Sequence, residues 1–504
     1  MLFEKMSEKY TGLLRDESRL EGHAEAVARP GDINELALAV REAAKSGKQL
    51  TVQGSATGVA GGGVPQGGLL ISTRNMNRIL GLREEGGQFF LRAEAGVTLG
   101  QVEDYLRRPV PLEGFDENSA AASEQLKNTR PRFFPPNPSE KSASIGGAFA
   151  CGAHGINSFR YRHFSHWVSA LSWVMPGGDI WNIRRGDMIY GKTGYRLPDG
   201  SSVSPLFWDN NPIIYAQLPN SSLDLIDFLE GSEGRLGIAG ELELALLPVP
   251  KVIWGLFFFF AAPGGAKLFT KSLPDNDLLA GYEYFDAAVL GLLRESREIN
   301  TSLKRLPELP GDALEAVYIE LSGEDEAVAE EYLSELLGLF LESGGKDEDA
   351  WAADSQNETE KFRALRHAAH ELVNAEIDKA RLTLPGLIKY DLDFMSVRLW
   401  DIMNSCRREA AKHGFGVFCY GNVFKSQLHI NFIPKTAKQK AVCEALFEKW
   451  AKQITESGSY IALENGVGKN KRELMRKLMP PEWLEYYAGL QKLFDPGNIM
   501  QNQL

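Results

Sequence analysis

Glycine is unusually dense in residues 54–68, which read GSATGVAGGGVPQGG. Dense glycine lets backbone N–H groups approach an anion closely and wrap around a phosphate. The common dinucleotide fingerprint needs GxGxxG at the start of a helix, and a P-loop needs Gly-Lys followed by Ser or Thr. Neither pattern is present, and Pro65 prevents an immediate helix. The segment is therefore either a phosphate-binding loop without a helix behind it or a flexible hairpin connection.

Two further segments in the first half of the chain combine glycine with polar residues. Residues 133–155 read FFPPNPSEKSASIGGAFACGAHG, with rigid prolines ahead of the serines and the Gly-Gly pair. Residues 230–244 read EGSEGRLGIAGELEL, with glycines ahead of an alternating strand. Three such loops in one half of a chain indicate a long ligand that makes many contacts.

The elements around the first loop must hold it in place. Strands are predicted at residues 49–53, where QLTVQ alternates and ends at Gly54, and at residues 69–73, where LLIST follows the glycine-rich segment. The loop then connects strand to strand. Helices are predicted to start at Asp32 and Thr98, each followed three residues later by Glu or Gln as in a capping box. Pro109 is predicted to end the second of these helices.

The texture of the sequence changes after residue 250. A Phe-rich strand at residues 252–262 is followed by a helix near residues 286–297, a strand AVYIELSG and an acidic helix at residues 324–343. This alternation predicts a separate α+β unit that begins at residue 251. The segment PEWLEYYAGLQKLF predicts a last helix near the C-terminus.

Composition excludes several classes of function. The chain has 504 residues, enough for two or three domains, and its net charge is -12, which opposes nucleic-acid binding. Its four cysteines form no CxxC pair and no metal cluster, so a reducing compartment and a cytoplasmic location are expected. No secretory signal and no transmembrane segment are predicted. Peripheral contact with the inner face of a membrane stays open, as does a homodimer.

The three glycine segments, in this order, resemble the FAD-linked oxidases of the vanillyl-alcohol oxidase type, in the glycolate oxidase and D-lactate dehydrogenase branch. Thr57-Gly58 matches the pyrophosphate-binding Thr-Gly of that family, PPNPSEKSASIGG resembles its isoalloxazine loop, and residues 231–238 resemble its GSEGxLGI. Members with covalent flavin often carry His in the first loop, where this chain has Ser55 and Ala56. The resemblance therefore implies noncovalent FAD.

The same resemblance implies an α+β fold with a two-part FAD-binding domain at residues 1–250. A substrate or cap domain with an antiparallel sheet would follow at residues 251–450, and a helical C-terminal segment at residues 451–504 would return to the flavin. The FAD contacts implied are Gly54, Ser55, Ala56, Thr57, Gly58, Gly61, Gly62, Pro135, Pro136, Ser142, Ser144, Ile145, Gly146, Gly147, Gly152, Glu233, Gly237, Ile238 and, in place of a family Asn, Gln501.

Oxidation of a 2-hydroxy acid requires a cation for the carboxylate, a group that takes the hydroxyl proton, and the flavin N5 as hydride acceptor. FRALRHAAH supplies Arg366, and LIKYDLDF supplies Lys389. In the family, an Arg and a Lys in such segments hold the substrate carboxylates. Taken alone, either cation would be interpreted as a solvated surface charge. Arg366 and His370 lie four residues apart and would share one helix face.

The family's metal motif is incomplete in this chain. Members carry GHxGDGNxH and EHG, whose two histidines and one glutamate can bind a divalent metal that polarises the substrate. This sequence has GNVFKSQLH and ENG, so His429 and Glu464 remain while Asn422 and Asn465 replace histidines. Two ligands make a poor zinc site, and no metal is expected. We hypothesise that Lys425 replaces part of the missing charge.

His429 is the first candidate for the base and His370 the second, because the pKa of imidazole suits proton transfer near neutrality. A hydrogen-bonded structural histidine is the alternative for both. The predicted function is oxidation of a small 2-hydroxy acid of the D-lactate, glycolate or D-2-hydroxyglutarate type, with a quinone or a protein as electron acceptor. A noncatalytic flavin-binding subunit of a larger oxidase, and an FAD oxidase of another alcohol or sugar acid, remain alternatives.

Overall fold

The computed structural model describes residues 2–136, 138, 140–189, 195–203, 224–297, 303–387, 389–461 and 466–501. Contacts between residues divide the chain into two compact units. The first consists of Met1–Gly155, Arg162–Val249 and Glu464–Leu504, and the second of Ile156–Tyr161 and Pro250–Leu463.

The first unit begins with a small sheet in which three strands are parallel. In spatial order its described strands are β1 (Glu4–Lys5), β2 (Ala26–Ala28), β4 (Leu69–Ser72) and β3 (Leu50–Gln53). Helix α1 (Ile33–Ser46) covers this sheet through a buried face that includes Leu36 and Val40. The helix starts after Asp32, as predicted, because the Asp32 carboxylate accepts from the N–H groups of Asn34 and Glu35.

The second sheet of the first unit is antiparallel. Its order is β5 (Ile79–Glu85), β6 (Gln88–Glu94), β12 (Ile238–Pro248), β8 (Val168–Val174) and β9 (Ile180–Arg184), and β7 (Arg132–Phe133) also pairs with β12. A short hairpin of β10 (Tyr195–Arg196) and β11 (Ser202–Val203) follows β9. The helices of this part are α2 (Leu99–Arg107), α3 (Glu117–Lys127), α4 (Ile145–Cys151) and α6 (Leu225–Leu229).

The capping box predicted at Thr98 is confirmed. The Thr98 hydroxyl accepts from the Gln101 N–H, and the Gln101 side chain accepts from the Thr98 N–H. Helix α2 ends at Arg107, two residues before Pro109.

The C-terminal residues complete the first unit. Helix α13 (Arg472–Leu478) precedes α14 (Pro481–Phe494), which has the bounds predicted for the last helix. Beyond it the chain runs parallel to β3: the Leu50 N–H donates to the Ile499 carbonyl at 2.6 Å, and the Gln501 N–H donates to the Leu50 carbonyl at 2.9 Å. The buried side chains of Ile499 and Met500 therefore join the core beneath the first sheet.

The second unit is built on a single antiparallel sheet within the described residues. Its order is β16 (Ala350–Ala353), β13 (Val252–Phe260), β15 (Glu315–Gly323), β14 (Leu279–Asp286), β18 (Val417–Gly421), β19 (Gln427–Phe432), β17 (Asp391–Met395) and β20 (Tyr460–Ile461). The helices are α5 (Ser158–Tyr161), α7 (Gly265–Ser272), α8 (Ala287–Arg297), α9 (Glu326–Glu342), α10 (Gln356–Arg381), α11 (Leu399–Lys412) and α12 (Ala437–Glu456). Strands β13 and β15 and helices α8 and α9 match the sequence prediction.

Helices α8 and α10 pack against each other and cover one face of this sheet. Their apolar side chains, among them Leu290, Leu365 and Val373, form a buried core with Phe257 and Phe285 of the strands. The two-part first unit and the antiparallel α+β second unit confirm the predicted fold class. None of the helices in the described ranges is long and apolar enough to cross a membrane.

Candidate functional site

The glycine loop at residues 54–68 connects β3 to β4, as predicted, and side chains bind its start and its middle. At its start, Arg74 donates from Nε to the Gly54 carbonyl at 3.1 Å and from Nη2 to the Ser55 carbonyl at 2.9 Å. Ala56 has a φ of 62°, a left-handed conformation that is uncommon for residues other than glycine. The loop is thus held in one conformation.

The middle of the loop, at residues 60–62, contacts the chain segment that follows residue 465. Lys469 Nζ donates to the Gly62 carbonyl at 2.9 Å and to the Gly61 carbonyl at 3.4 Å. The backbone N–H groups of Lys469 and Asn470 both donate to the Ala60 carbonyl, at 2.9 and 3.1 Å. Two parts of the chain about 400 residues apart in sequence therefore form one surface.

Glu233 holds this C-terminal segment from the other side. Its carboxylate accepts from the N–H of Val467 at 2.7 Å and from the N–H of Gly468 at 2.8 Å. Glu233 itself has a left-handed φ of 51°. The glutamate of the GSEG segment, predicted as a cofactor contact, is positioned here to order the turn at residues 466–468.

The second predicted loop ends in helix α4 and lies against the first. Ser144 is the N-cap residue of α4, and its hydroxyl accepts from the Gly147 N–H at 3.3 Å. Its Oγ also occupies the place that a Cβ on Gly54 would need, so the two loops approach closely. Gly146 donates from its N–H to the Ala95 carbonyl at 2.8 Å. A Cβ on Gly146 would lie 2.5 Å from Cβ of Ala95.

The third predicted loop joins the end of α4. Gly152 ends that helix in a left-handed conformation, and the Gly231 N–H donates to the Phe149 carbonyl at 3.0 Å. Gly237 follows with a φ of 141°, packed against Trp173, and Ile238 starts β12. The three loops predicted from sequence therefore come together within the first unit.

The predicted FAD contacts all lie in the first unit. Gln501 is placed beside β3, where its side-chain oxygen accepts from the Thr51 hydroxyl at 2.6 Å. The remaining positions occupy the three loops and the ends of α4: Gly54, Ser55, Ala56, Thr57, Gly58, Gly61, Gly62, Pro135, Pro136, Ser142, Ser144, Ile145, Gly146, Gly147, Gly152, Glu233, Gly237 and Ile238.

The donors at this site fit an anionic ligand. Within the described residues, Nδ2 of Asn470 and Nε and Nη2 of Arg472 are buried and lack a hydrogen-bond partner. A buried donor without an acceptor is costly, so a set of them beside a glycine loop is what a bound phosphate would satisfy. FAD, with its diphosphate, has the length and charge that the three loops and these donors suit.

The second unit contains a separate cluster of ionisable side chains around His429 on β19. His429 Nδ1 donates to Asp391 Oδ1 of the neighbouring strand at 3.1 Å. Asn431 also donates to Asp391, at 3.3 Å, and the Lys389 ammonium lies 3.7 Å from Asp391 Oδ2. All of these side chains are largely buried. Because Asp391 accepts from Nδ1, it favours the tautomer in which Nε2 carries the lone pair.

The same cluster continues to helix α10 through Glu283 of β14. One oxygen of the Glu283 carboxylate accepts from Arg366 Nε, and the other accepts from His370 Nε2 at 2.7 Å. Burial alone would raise the pKa of Glu283, but the charge of Arg366 and the contact with His370 outweigh it and lower the pKa to about 2. Burial lowers the pKa of His370, although its contact with Glu283 opposes this shift.

Tyr420 lies between the two histidines. Its ring is stacked on the ring of His429, with centroids 5.2 Å apart, and meets the ring of His370 edge-on at 4.3 Å. Its hydroxyl accepts from Asn431 Nδ2 at 3.3 Å. The structure thus brings together Arg366, His370, Lys389 and His429, while Glu464, the fifth predicted catalytic residue, falls outside the described residues.

Sequence analysis missed Glu283, Asp391 and Tyr420. Asp391 stands two residues after Lys389 in LIKYDLDF, and Glu283 is an acidic residue inside the buried strand LAGYEYFD. A carboxylate in a buried strand needs a partner, so both were detectable as candidates. Their partners could not be identified, because they depend on which strands are neighbours.

The segment GNVFKSQLH departs from the metal motif of the family, and one of its residues has a structural role. Asn422 caps a short 3-10 turn (Val423–Lys425), and its side chain accepts from the Lys425 N–H at 3.1 Å. Lys425 is exposed on this turn, and its suggested electrostatic role stays a prediction. Across the described part of the chain, no group of three or more His, Cys, Asp and Glu side chains is arranged to hold a metal.

Two family models match this chain. The family model described as FAD binding domain matches residues 24–113, and the model described as FAD linked oxidases, C-terminal domain, matches residues 278–503. Together the two matches cover more than half of the chain.

Two curated relatives align over nearly the whole chain. A D-lactate dehydrogenase of Anaerostipes hadrus is 23% identical, covering 99% of this chain and 92% of the relative. The glycolate oxidase subunit GlcD of Bacillus subtilis is 24% identical, covering 94% of this chain and 87% of the relative. Among solved structures, 4-ethylphenol oxidase from Gulosibacter chungangensis matches with a TM-score of 0.67 at 16% identity, covering 98% of this chain and 92% of that one.

The structural likeness establishes the fold. The first family match covers the glycine loop at residues 54–68, and the second covers the histidine cluster and continues into the C-terminal part of the first unit. The chain therefore belongs to the FAD-linked oxidases and is an oxidoreductase of that family.

Proposed function

We propose that this protein oxidises a small 2-hydroxy acid, with hydride transfer to noncovalently bound FAD. The observation that carries the proposal is the buried cluster of the second unit, in which Arg366, Lys389, His370 and His429 lie together. Its side chains have the functions that the reaction requires: cations for a carboxylate and an imidazole for the hydroxyl proton. The D-lactate dehydrogenase and glycolate oxidase relatives agree with this substrate class.

His429 is the proposed base. Its Nδ1–H is bound by Asp391, so Nε2 is the nitrogen that accepts the proton of the substrate hydroxyl. The Asp391 carboxylate also stabilises the imidazolium that forms, as in other carboxylate–histidine pairs. His370 is less suited, because its Nε2 donates to Glu283 and burial lowers its pKa.

Arg366 and Lys389 are the proposed carboxylate ligands. Each already faces a protein carboxylate, Glu283 and Asp391 respectively, which fixes its side chain and partly balances its charge. A guanidinium carries five N–H donors and an ammonium three, so both can bind a second carboxylate while keeping the first.

FAD, when bound, supplies the N5 atom that accepts the hydride. The glycine loops of the first unit would hold it through backbone N–H groups, with Ser55 and Ala56 at the positions where covalent members of the family often carry His. The reduced cofactor would pass its electrons to a quinone or a protein acceptor.

The decisive test is reduction of the bound flavin by substrate. The purified protein should show flavin absorption near ~450 nm, and anaerobic mixing with D-lactate, glycolate or D-2-hydroxyglutarate should bleach it. His429→Gln should slow bleaching by about 10²–10⁴-fold, since it removes the base. His367→Gln, at a half-buried position of α10 where the side chain pairs with Glu371, is the control and should bleach at the wild-type rate.

Three results would contradict parts of the proposal. A colourless protein that FAD cannot restore would end the flavin assignment. Bound FAD that no hydroxy acid in a broad panel bleaches would support the alternative of a noncatalytic flavin-binding subunit. Bleaching by other alcohols or sugar acids alone would assign a different substrate, which the altered segment GNVFKSQLH permits.

A further inference from the structure

Two cationic side chains hold the glycine loop from behind. Arg74 binds the carbonyls of Gly54 and Ser55, and Lys469 binds those of Gly61 and Gly62. In a trans peptide the C=O bond and the following N–H bond point in opposite directions. The N–H groups of the four residues that follow these carbonyls are therefore turned away from the cations: Ser55, Ala56, Gly62 and Gly63.

Such an arrangement strengthens the loop as an anion site. A cation that binds a carbonyl polarises the peptide group, and its N–H becomes a better donor. The left-handed conformations of Ala56 and Gly61, with φ of 62° and 77°, are of the kind that gathers successive N–H groups into an anion-binding concavity. Lys469 is thus placed to orient the loop rather than to fill a surface position.

The segment around Lys469 adds donors of its own. Nδ2 of Asn470 and Nε and Nη2 of Arg472 are buried without a partner among the described residues. Oδ1 of Asn470 lies 3.5 Å from the position that a Cβ on Gly61 would take, so this amide borders the glycine loop. The loop presents N–H groups turned away from the two cations, and the neighbouring segment presents unsatisfied donors. One anionic ligand would satisfy both sets.

The electrostatic surroundings of Lys469 also favour a bound anion. Burial and the nearby charge of Arg472 lower the pKa of Lys469 to about 8, while Asp16 and Glu233 oppose this shift. Burial also lowers the pKa of Arg472, which has Arg476, Glu473 and Glu233 as charged neighbours. Two partly buried cations next to each other are unfavourable in the absence of an anion.

We propose that residues 469–472 form the second half of the diphosphate-binding site of FAD. Lys469 is a positioning residue that holds the carbonyls of Gly61 and Gly62 away from the ligand, and Asn470 and Arg472 donate to the diphosphate oxygens. This inference rests on FAD occupying the first unit and is independent of which substrate is oxidised.

The test uses the full-length apoprotein and ADP, which carries the diphosphate without the isoalloxazine, so its result is independent of hydroxy acid oxidation. Calorimetric titration should give a dissociation constant about tenfold higher for Lys469→Met and for Arg472→Met than for the wild type, the loss expected for one charge-assisted hydrogen bond. The affinity of both variants for FAD should fall by a similar factor. Lys492→Met, an exposed lysine of α14 in the same unit, is the matched control and should bind as the wild type does.

A pH series separates the positioning role from a general loss of structure. Wild-type affinity for ADP should fall as pH rises through the range above 8, because Lys469 loses its proton, whereas Lys469→Arg keeps its charge and should bind equally at pH 7 and pH 9. Thermal unfolding of each apoprotein confirms that it is folded. Wild-type ADP affinity in both Met variants would overturn the proposal, and so would a wild-type pH profile in Lys469→Arg.

Discussion

At the scale of single residues, the candidate site works by pairing each functional side chain with an oppositely charged or hydrogen-bonding partner. Asp391 orients His429, and Glu283 bridges Arg366 and His370. Buried charges without partners are costly, so the pairs are what allows a cation and a base to lie in the interior. The sequence predicted the cations and imidazoles from their match to family segments, whereas the partners of the two carboxylates became identifiable only with the strand order.

The pair of Asp391 and His429 gives the first prediction. Asp391→Asn replaces an acceptor for Nδ1–H by an amide that can also donate, so the imidazole can take the wrong tautomer. Flavin reduction by substrate should slow by about 100-fold, with FAD affinity unchanged. Stopped-flow absorbance measures the rate. Asp401→Asn, exposed on α11, serves as the control, and an Asp391→Asn enzyme as fast as this control would remove His429 from the role of base.

The low pKa of Glu283 predicts a dependence of stability on pH. Its pKa is lowered from 4.5 to about 2 in the folded protein, so its contribution to stability is complete above pH 4.5 and disappears as pH falls through 2. Glu283→Gln should lower the free energy of unfolding by about 3 kcal/mol at pH 7. The difference in the free energy of unfolding between variant and wild type should become smaller as pH falls from 4.5 to 3.

Urea unfolding at these pH values measures the effect. Glu371→Gln, exposed on helix α10, provides the baseline and should change stability by less than about 0.5 kcal/mol. A loss of stability in Glu283→Gln that is equally large at pH 3 and pH 7 would mean that the carboxylate is not held ionised by Arg366 and His370.

At the scale of elements, helix α10 and the sheet below it place the cluster. Ser355 caps the helix by accepting from the Glu358 N–H, and the positions of Arg363, Arg366 and His370 share one face. That spacing could be predicted from sequence. Strand order could not, because β14, β17, β18 and β19 become neighbours through contacts between residues far apart in the chain, and these contacts leave no local signal.

The close contact between α4 and the strand end at Ala95 gives a prediction at this scale. Gly146→Ala would place a methyl 2.5 Å from Cβ of Ala95 and 3.0 Å from its carbonyl oxygen. Alanine favours a helix over glycine by about 1 kcal/mol, but the clash with a buried backbone should win and destabilise the first unit by roughly 1–3 kcal/mol.

Chemical denaturation followed by tryptophan fluorescence measures this loss, and weaker FAD retention should accompany it, since Gly146 lies in the second cofactor loop. Gly177→Ala is the matched control: it is exposed in the same unit, with open space around its Cβ position. If Gly146→Ala were as stable as Gly177→Ala, the first turn of α4 would have room to move.

At the scale of the whole molecule, each unit has its own hydrophobic core, and the first is assembled from three separate stretches of chain. Composition indicated the change of texture after residue 250. It gave no sign that residues 156–161 belong by contact to the second unit, or that residues 466–472 dock on the glycine loop. Such long-range contacts depend on tertiary packing, which local propensity and periodicity do not report.

Because each unit has its own core, we expect two unfolding transitions. FAD should raise the midpoint temperature of only one of them. All loops proposed to hold FAD lie in the first unit, and a ligand stabilises the state that binds it by about 4 kcal/mol when present at 1,000 times its dissociation constant. Leu91→Ala, in the core of the first unit, should lower the midpoint temperature of the transition that FAD stabilises. Leu365→Ala, in the core of the second, should lower the other, and each substitution of a buried leucine should cost about 2–5 kcal/mol. Differential scanning calorimetry with and without FAD resolves the transitions. A single transition that both variants lower and FAD raises would show that the two units unfold as one cooperative body.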